Sequence, residues 1–270
     1  MSQKKAVSPA PAPSVVKTAS KAELIDEYNG LADSIHTLNI SVTIQLTSGS
    51  RYTGIVEQYH EVTGFILASK PSDIRVIGQV PIVGKNIFDM ESDGSTFHIF
   101  VPSKNQFLVG PANLDRPSDK PIENLRPQHL LDAIFWEPIP KDAPVLLEQT
   151  SVTTSNFYVL TVARAAGPGD WQTDRKIWFD RATLDMARID IYDSNGLDTA
   201  LIRYNDWDMF GSVRYPRAIL MNRPVNDYQL QLMITKLTAN EPISSDRFVL
   251  DQPPGTQLVR IGEDSAEAHP

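Results

Sequence analysis

The residues that could carry acid–base or metal chemistry are sparse and widely spaced in this sequence. His98 falls in the middle of an expected strand, where a surface or hydrogen-bonded structural role is predicted. No G-x-S-x-G elbow, phosphate-binding P-loop or G-x-G-x-x-G loop occurs either. An enzyme acting on an acyl or sugar substrate would need convergent titratable groups, and none are visible. The histidines form no H-E-x-x-H motif or other close pair; they are His36, His60, His98, His129 and His269.

One acidic stretch begins like a calcium-binding loop. Asp89, Glu91 and Asp93 alternate and Gly94 follows them. Counted from Asp89, the position that should hold a bidentate glutamate is Phe100, so the calcium interpretation fails. Asp93 and Gly94 are instead predicted to form a hairpin turn between two strands.

Aromatic and cationic side chains offer two weaker signals. The four tryptophans are scattered over different elements, which favours core or rim packing over a stacking platform. Arg75 lies among apolar residues, and two interpretations stay open for it. It is either a paired arginine at the sheet surface or a hydrogen-bond donor to a lid loop or a ligand head group. The tryptophans are Trp136, Trp171, Trp178 and Trp207.

Composition narrows the class of partner. The net charge is −8 and the pI about 5.1, an acidic balance that argues against a nucleic-acid surface. Cysteine is absent, which excludes disulfides and thiolate metal sites. Hydrophobic residues make up 41% of the chain, enough for a sizeable core. No cofactor and no metal are predicted.

The two ends of the chain read differently from its centre. Residues 1–19 are rich in Pro, Ala, Ser and Lys and are predicted to be a flexible linker. They contain no apolar segment typical of a signal peptide, and no run in the chain reaches the roughly 18 residues of a membrane span. The linker is either a disordered tail or the remnant of a connection to an anchor. Residues 20–262 are predicted to be a single domain and 263–270 a flexible tail.

Two helices are expected. Ser20 and Glu23 have the spacing of a capping box. A second, short helix is predicted over 128–136 inside a proline-rich segment. Apolar residues at helical spacing continue the first helix on one face; they are Leu24, Ile25, Tyr28, Leu31, Ala32 and Ile35.

Most of the remaining chain alternates apolar and polar residues, which is typical of half-buried antiparallel strands. The fold class predicted is mainly β with few helices: a curved antiparallel sheet forming an incomplete (half) β-barrel covered by helices and a loop. Strands are expected near 40–47, 51–60, 64–70, 73–80, 86–92, 96–101, 105–109, 145–150, 155–165, 175–180, 185–193, 197–206, 213–223 and 227–238.

Such a sheet has one long apolar face that must be covered. Either the barrel closes and packs its own side chains, or the face lines a cavity for an apolar ligand with the helices as a plug or lid. Leu24, Tyr28, Leu31 and Ile35 are the expected plug. Which face of each strand points inward depends on register. The candidate wall residues are Ile40, Val42, Ile44, Phe97, Ile99, Val101, Ile189, Ile191, Leu230, Leu232 and Ile234.

Several segments, in order, resemble the bacterial Lol-type (LolA- and LolB-like) lipoprotein carriers and receptors. The amphipathic helix is followed by strands, a glycine and a basic residue–proline step, and the aromatic strand ends in proline. The chain then closes with an aromatic segment and a Pro-Pro-Gly turn. The matching positions run from Gly64 through Lys70-Pro71, Pro81, Ser92-Asp93-Gly94 and Pro102 to Asp246–Leu250 and Pro253-Pro254-Gly255.

The resemblance implies non-enzymatic binding and transfer of lipoprotein acyl chains in an apolar cavity, during sorting to the outer membrane. It implies a periplasmic location, with a lost N-terminal lipid anchor if the chain is receptor-like. Partners would be acylated lipoproteins or lipid, another envelope carrier or a membrane complex. Lys70 stands where the soluble carrier has a lid-closing arginine, and lysine cannot make the same bidentate contact. The alternative is a structural envelope lipoprotein that binds a protein partner or a different lipid or glycolipid.

Overall fold

A computed structural model describes residues 16–49, 57–113, 124, 126–153 and 155–262. One sheet, curved and open, contains all of its strands, which confirms the mainly β class and the incomplete barrel. The strands are β1 (Thr37–Ser48), β2 (Glu57–Gln58), β3 (Val62–Ser69), β4 (Asp73–Gln79), β5 (Asn86–Ser92), β6 (Thr96–Val101), β7 (Gln106–Pro111), β8 (Val145–Val152), β9 (Ser155–Gly167), β10 (Asp170–Asp180), β11 (Met186–Tyr192), β12 (Asp198–Phe210), β13 (Val213–Arg223), β14 (Tyr228–Ala239) and β15 (Gln257–Arg260).

The order of the strands in space explains how the sheet becomes wide without closing. Successive strands form hairpins from β3 to β7 and from β8 to β14, and β1 pairs with β14 to join the two runs. In that junction Ile44 lies opposite Leu232. The sheet runs β15, β7, β6, β5, β4, β3, β1, β14, β13, β12, β11, β10, β9, β8, with β2 beside β1.

Two α-helices lie in the described part of the chain, α1 (Lys21–Ser34) and α2 (Pro127–Ile134). The capping box of α1 is present as predicted: the Ser20 amide donates to the Glu23 carboxylate at 2.7 Å and the Glu23 amide to the Ser20 hydroxyl at 3.3 Å. The second helix ends earlier than the predicted 128–136. A helical Pro138 would clash with the carbonyl of Ile134, and the chain becomes extended at Phe135.

Parts of the sequence-based description fall outside the described residues. These are 1–15 of the expected linker, 51–56 of the expected strand near 51–60, and the tail 263–270. The end of the linker is held in place where it is described. The Lys17 amide donates to the Arg181 carbonyl at 2.7 Å, and the Ala19 amide donates to the Tyr158 hydroxyl at 3.3 Å.

The C-terminal segment holds an element that the sequence patterns did not predict. After β14 the chain forms a short 3₁₀ helix at Ser245–Phe248, and β15 then pairs in parallel with β7. In the described part of the chain, no helix has the length and apolarity required to cross a membrane.

Candidate functional site

The inner face of the sheet forms one continuous hydrophobic cluster. Every candidate wall residue belongs to it or packs against it, so register places the predicted face inward on β1, β6, β11 and β14. These residues are Ile40, Val42, Ile44, Phe97, Ile99, Val101, Ile189, Ile191, Leu230, Leu232 and Ile234.

Both helices fill much of this face. Leu24, Tyr28 and Ile35, at and just beyond α1, are buried in the same cluster, and Leu31 packs against it while partly exposed. Four buried residues of α2 complete the cover; they are Leu130, Leu131, Ala133 and Ile134. The apolar face is therefore mostly occupied by the chain's own side chains in this conformation.

A cavity of about 530 Å³ remains at one end of the cover, between the helices, the β10–β11 hairpin and the turn after β3. Of the candidate wall residues, Ile189 and Ile191 line it. Tyr28 of the expected plug and Lys70 of the basic residue–proline step also face it. The other lining residues are Pro71, Ser72, Gly94, Gln128, Leu131, Asp132, Phe135, Trp136, Glu137, Pro138, Asp174 and Arg175.

Lys70 connects both helices to the sheet. Its ammonium donates to the carbonyl of Ala32 near the end of α1 at 2.6 Å and to the carbonyl of Trp136 after α2 at 3.3 Å. It also lies 5.4 Å from the centre of the Phe135 ring. Desolvation by burial lowers the pKa of Lys70. One ammonium with several donors can bridge two carbonyls without the planar fork of an arginine.

Arg175 makes the second polar contact with the segment after α2. Its guanidinium donates to the carbonyls of Glu137 and Pro138 at 3.0 and 3.2 Å, and it pairs with Asp174 at 3.0 Å. It also lies 5.9 Å from the centre of the Tyr28 ring. Burial raises the pKa of Tyr28 to about 12, so this phenol remains neutral at the cavity wall.

No family model matches the sequence, and no curated protein matches it. Solved structures do match. A LolA superfamily protein from Nitrosomonas europaea superposes with a TM-score of 0.51 at 12% identity, over 86% of this chain and 99% of that one. A DUF1329 family protein from Desulfovibrio piger gives 0.53 at 12% identity, over 84% and 94%. A domain assigned to outer membrane lipoprotein sorting, from Vibrio parahaemolyticus, gives 0.52 at 10% identity, over 84% and 94%.

The chain has the LolA-type fold. Identities of 10–12% establish the architecture alone, so the site must be judged from the side chains of this chain.

On this LolA-type fold, α2 is tied to the β13–β14 hairpin by a polar cluster in which Arg223 and Tyr228 are buried. His129 and the Tyr228 hydroxyl are 2.7 Å apart, and Arg223 pairs with Asp132 at 3.1 Å. Burial, with Arg223 and Arg126 nearby, lowers the pKa of His129 well below its usual range, while burial raises the pKa of Asp132. His129 is therefore a neutral hydrogen-bonding group at physiological pH.

An aromatic cluster fixes the chain where α2 ends. The Trp136 ring lies 5.5–5.8 Å from the ring centres of Tyr204, Trp207 and Tyr215. The Tyr215 hydroxyl donates to the carbonyl of Ile134 at 2.6 Å. Trp136 and Trp207 are thus packing residues, while Trp171 is more than half exposed at the surface.

Arg75 lies on the opposite, outer face of the sheet. Its guanidinium forms a two-point pair with Asp89, with N–O distances of 3.1 and 2.9 Å. It also donates to the carbonyls of Arg247 and Val249 at 3.1 and 3.0 Å. Arg75 therefore holds the C-terminal segment against the outer face, away from the cavity and the helices.

The acidic stretch at 89–94 divides its carboxylates among separate partners. Asp89 pairs with Arg75, and Glu91 contacts His98 across the β5–β6 hairpin. The Asp93 carboxylate accepts from the amides of Ser95 and Thr96 at 2.7 and 2.9 Å, which confirms the predicted turn. The described residues contain no cluster of three or more possible metal ligands.

Sequence reasoning missed much of the cavity wall. Gln128, Phe135 and Trp136 lie at or beyond the ends of α2, and Arg175 comes from β10. For the first three, the signal in the sequence was the proline-rich segment from 111 to 144, which had to cover part of the fold. Nothing in that stretch alone showed what it covers.

Proposed function

We propose that this protein binds the acyl chains of lipids or lipoproteins without making or breaking a covalent bond. We infer that it passes them on during lipoprotein sorting in the bacterial envelope, from a periplasmic or outer-membrane-anchored position. The observation that carries the proposal is the inner face of the sheet: it is apolar, open at one end into a cavity of about 530 Å³, and covered by two short helices.

The size and polarity of this cavity suit a hydrocarbon chain. Ligand pockets typically measure ~300–1,000 Å³ and are lined mainly by apolar side chains. Phe135, Trp136, Ile189 and Ile191 supply such a lining here. Burying one methylene contributes about 0.8 kcal/mol, so a chain of ~14 methylenes would gain on the order of 11 kcal/mol.

The polar groups around the cavity support a binding role. Asp174 pairs with Arg164 and Arg175, and Asp132 pairs with Arg223. These groups hold elements together, so apolar contact supplies the attraction for a ligand. In the alternative, a structural role with a protein partner, the cavity would be incidental and acyl chains would not enter it.

Uptake of a longer chain requires the helices to move. Most of the candidate wall is buried in the cluster that α1 and α2 join, so we infer that it becomes accessible when the helices move. Lys70 bonds to both cover segments, so its release would remove one contact from the end of α1 and one from the residues after α2. A cover held partly by a few polar contacts can open at modest cost, which a carrier that must also release its cargo requires.

Delivery requires contact with a membrane, and the β4–β5 hairpin offers a suitable point. Ile82 is fully exposed and Val83 is 75% exposed at its tip. Two adjacent aliphatic side chains in water are costly unless they contact an apolar surface.

The test is binding of a fluorescent fatty acid to Ile191→Trp and to a matched control, Met233→Trp. Ile191 lines the cavity, whereas Met233 is exposed on the outer face of β14, so only the first change fills the cavity. We expect at least a tenfold loss of affinity, about 1.4 kcal/mol, for Ile191→Trp and little change for the control. Absence of binding by the unaltered protein, or equal binding by Ile191→Trp, would overturn the proposal.

A further inference from the structure

Strand β8 forms one edge of the sheet, and its free side has regular hydrogen-bonding groups. The Ala163 amide donates to the Pro144 carbonyl at 3.0 Å, and Val145 lies opposite Val162 in the same register. In an antiparallel ladder, hydrogen-bonded and non-hydrogen-bonded pairs alternate. The even-numbered residues of β8 therefore bond to β9, and the odd-numbered residues point their N–H and C=O groups outward. Consistent with this, the Val145 carbonyl accepts from Lys21 at 3.2 Å.

Within the described part of the chain, this edge lacks the usual devices that prevent strands from pairing. Natural edge strands are short, carry lysine or proline, or are covered. β8 has eight residues, VLLEQTSV, with neither lysine nor proline. Its outer-face side chains Leu146 and Val152 are 66% and 51% exposed. At the other edge, β15 has only four residues.

We propose that β8 pairs with β8 of a second copy of this chain, antiparallel across a two-fold axis, with Gln149 opposite Gln149 of the second copy. In this register Leu147 lies opposite Ser151. All three are odd-numbered residues with outward backbone groups, so each pair can exchange both of its hydrogen bonds.

The side chains select this register over its neighbours. Leu146 then faces Val152 of the second copy in a non-hydrogen-bonded pair, where side chains approach most closely. Glu148 faces Thr150. Moving the axis one residue toward the N-terminus would place Glu148 directly opposite Glu148, a destabilising like-charge pair. Moving it one residue the other way would leave Leu146 without its apolar partner. The two exposed aliphatic residues are thus covered only in the proposed arrangement.

The interface is separate from the acyl cavity and independent of the proposed function. Leu146, Glu148, Thr150 and Val152 lie on the outer face of the sheet, whereas the cavity lies on the inner face. The two-fold pairing would make one continuous sheet from two copies, with the helices of both on the same side.

Because the chain has no cysteine, single cysteines report the register directly. Gln149→Cys should form an intermolecular disulfide under mild oxidation, since directly opposite Cα atoms lie about 5.5 Å apart in such a pair. Glu148→Cys should cross-link poorly, and Gln229→Cys, exposed in the middle of the sheet, should not cross-link. Efficient cross-linking of Glu148→Cys with none for Gln149→Cys would overturn the register.

Two variants that introduce opposite charges at Thr150 test the dimer without cross-linking. Thr150→Glu places a second carboxylate opposite Glu148 on both sides of the axis, whereas Thr150→Lys places an ammonium there. We expect sedimentation to show a dimer for the unaltered chain. We also expect the dissociation constant of the dimer to be at least about tenfold larger for Thr150→Glu than for Thr150→Lys.

Gln229→Glu and Gln229→Lys serve as matched controls and should not differ from each other. A chain that stays monomeric at ~100 µM, where even a weak complex forms, would contradict the proposal. Equal dimerisation of the two Thr150 variants would contradict it as well. So would the finding that β8 pairs with an extended segment of a different protein instead of a second copy of this chain.

Discussion

At the level of single residues, Lys70 contacts both segments that cover the apolar face. It joins the sheet to the carbonyls of Ala32 and Trp136, which belong to the two segments that cover the apolar face. Hydrogen bonds to a charged donor are worth more than neutral ones, typically about 1.5–3 kcal/mol. The desolvation of the ammonium offsets part of this stabilisation, as the lowered pKa of Lys70 indicates.

Replacing Lys70 with methionine keeps the length of the side chain and removes both hydrogen bonds. We expect the free energy of unfolding to fall by about 1–2 kcal/mol. We also expect amide hydrogen exchange at the end of α1 to accelerate and uptake of a fluorescent fatty acid to become several-fold faster. Lys236→Met is the matched control, because Lys236 is exposed on β14, and it should change none of these. Unaltered exchange in Lys70→Met would show that Lys70 does not hold the cover.

His129 makes the attachment of α2 sensitive to pH. The folded protein keeps this imidazole neutral, because burial and the neighbouring Arg223 and Arg126 lower its pKa well below 6.5. The unfolded chain takes up a proton near pH 6.5, so it binds more protons than the folded state below that value. Acidification through this window therefore favours unfolding.

The measurement is urea unfolding between about pH 7.5 and about pH 5.5. We expect the unaltered protein to lose up to about 1.4 kcal/mol per pH unit below 6.5, relative to His129→Gln. Glutamine can still bond to the Tyr228 hydroxyl. Asp132 and Glu91, whose pKa values are raised, act in the opposite direction, and the comparison of the two proteins cancels them. Parallel pH profiles for the two proteins would refute the role given to His129.

At the level of elements, the β4–β5 hairpin combines strain with exposure. Ile82 has a φ of 71°, a left-handed conformation that a β-branched residue rarely adopts, and its side chain is fully exposed. Such a residue costs of order 1–3 kcal/mol and is typically retained where it serves a function.

Ile82→Asn should relieve this strain, because asparagine tolerates a positive φ. We expect stability to rise by about 1 kcal/mol and binding to phospholipid vesicles to fall. Val83→Asn removes a similar apolar side chain without a positive φ, so it should weaken vesicle binding and leave stability unchanged. Vesicle binding that persists in both variants would show that this hairpin is not the point of contact with the membrane.

The elements also show how far sequence patterns reach. The alternation in β1 and β14 predicted two strands, and their burial shows that the expected faces point inward. Local periodicity shows which side of an element is apolar, and in these two strands the apolar side is the buried one. Ser20 and Glu23 likewise marked the start of α1 through adjacent backbone groups.

What sequence patterns missed depends on distant contacts. β15 has four residues after a Pro-Pro-Gly turn, and the strand it pairs with, β7, lies far away in the chain. A parallel pairing of that kind has no local signature. The cavity lining from Phe135 and Trp136 was missed for the same reason, because these residues follow a helix that Pro138 ends early.

At the level of the whole molecule, one open sheet presents an apolar inner face, a polar outer face and two unlike edges. The helices fill most of the inner face and leave a cavity beside the β10–β11 hairpin. The outer face carries the C-terminal segment, held by Arg75. The proposed cargo cavity and the covering helices therefore share the inner face, whereas the proposed contact between copies lies at an edge.

The most direct measurement is native mass spectrometry of the protein produced in a bacterial envelope and purified without detergent. We predict that part of the population carries the mass of an acylated molecule, and that Ile191→Trp reduces this fraction strongly while Met233→Trp does not. A bare chain in every preparation, including one incubated with phospholipid vesicles, would contradict the account.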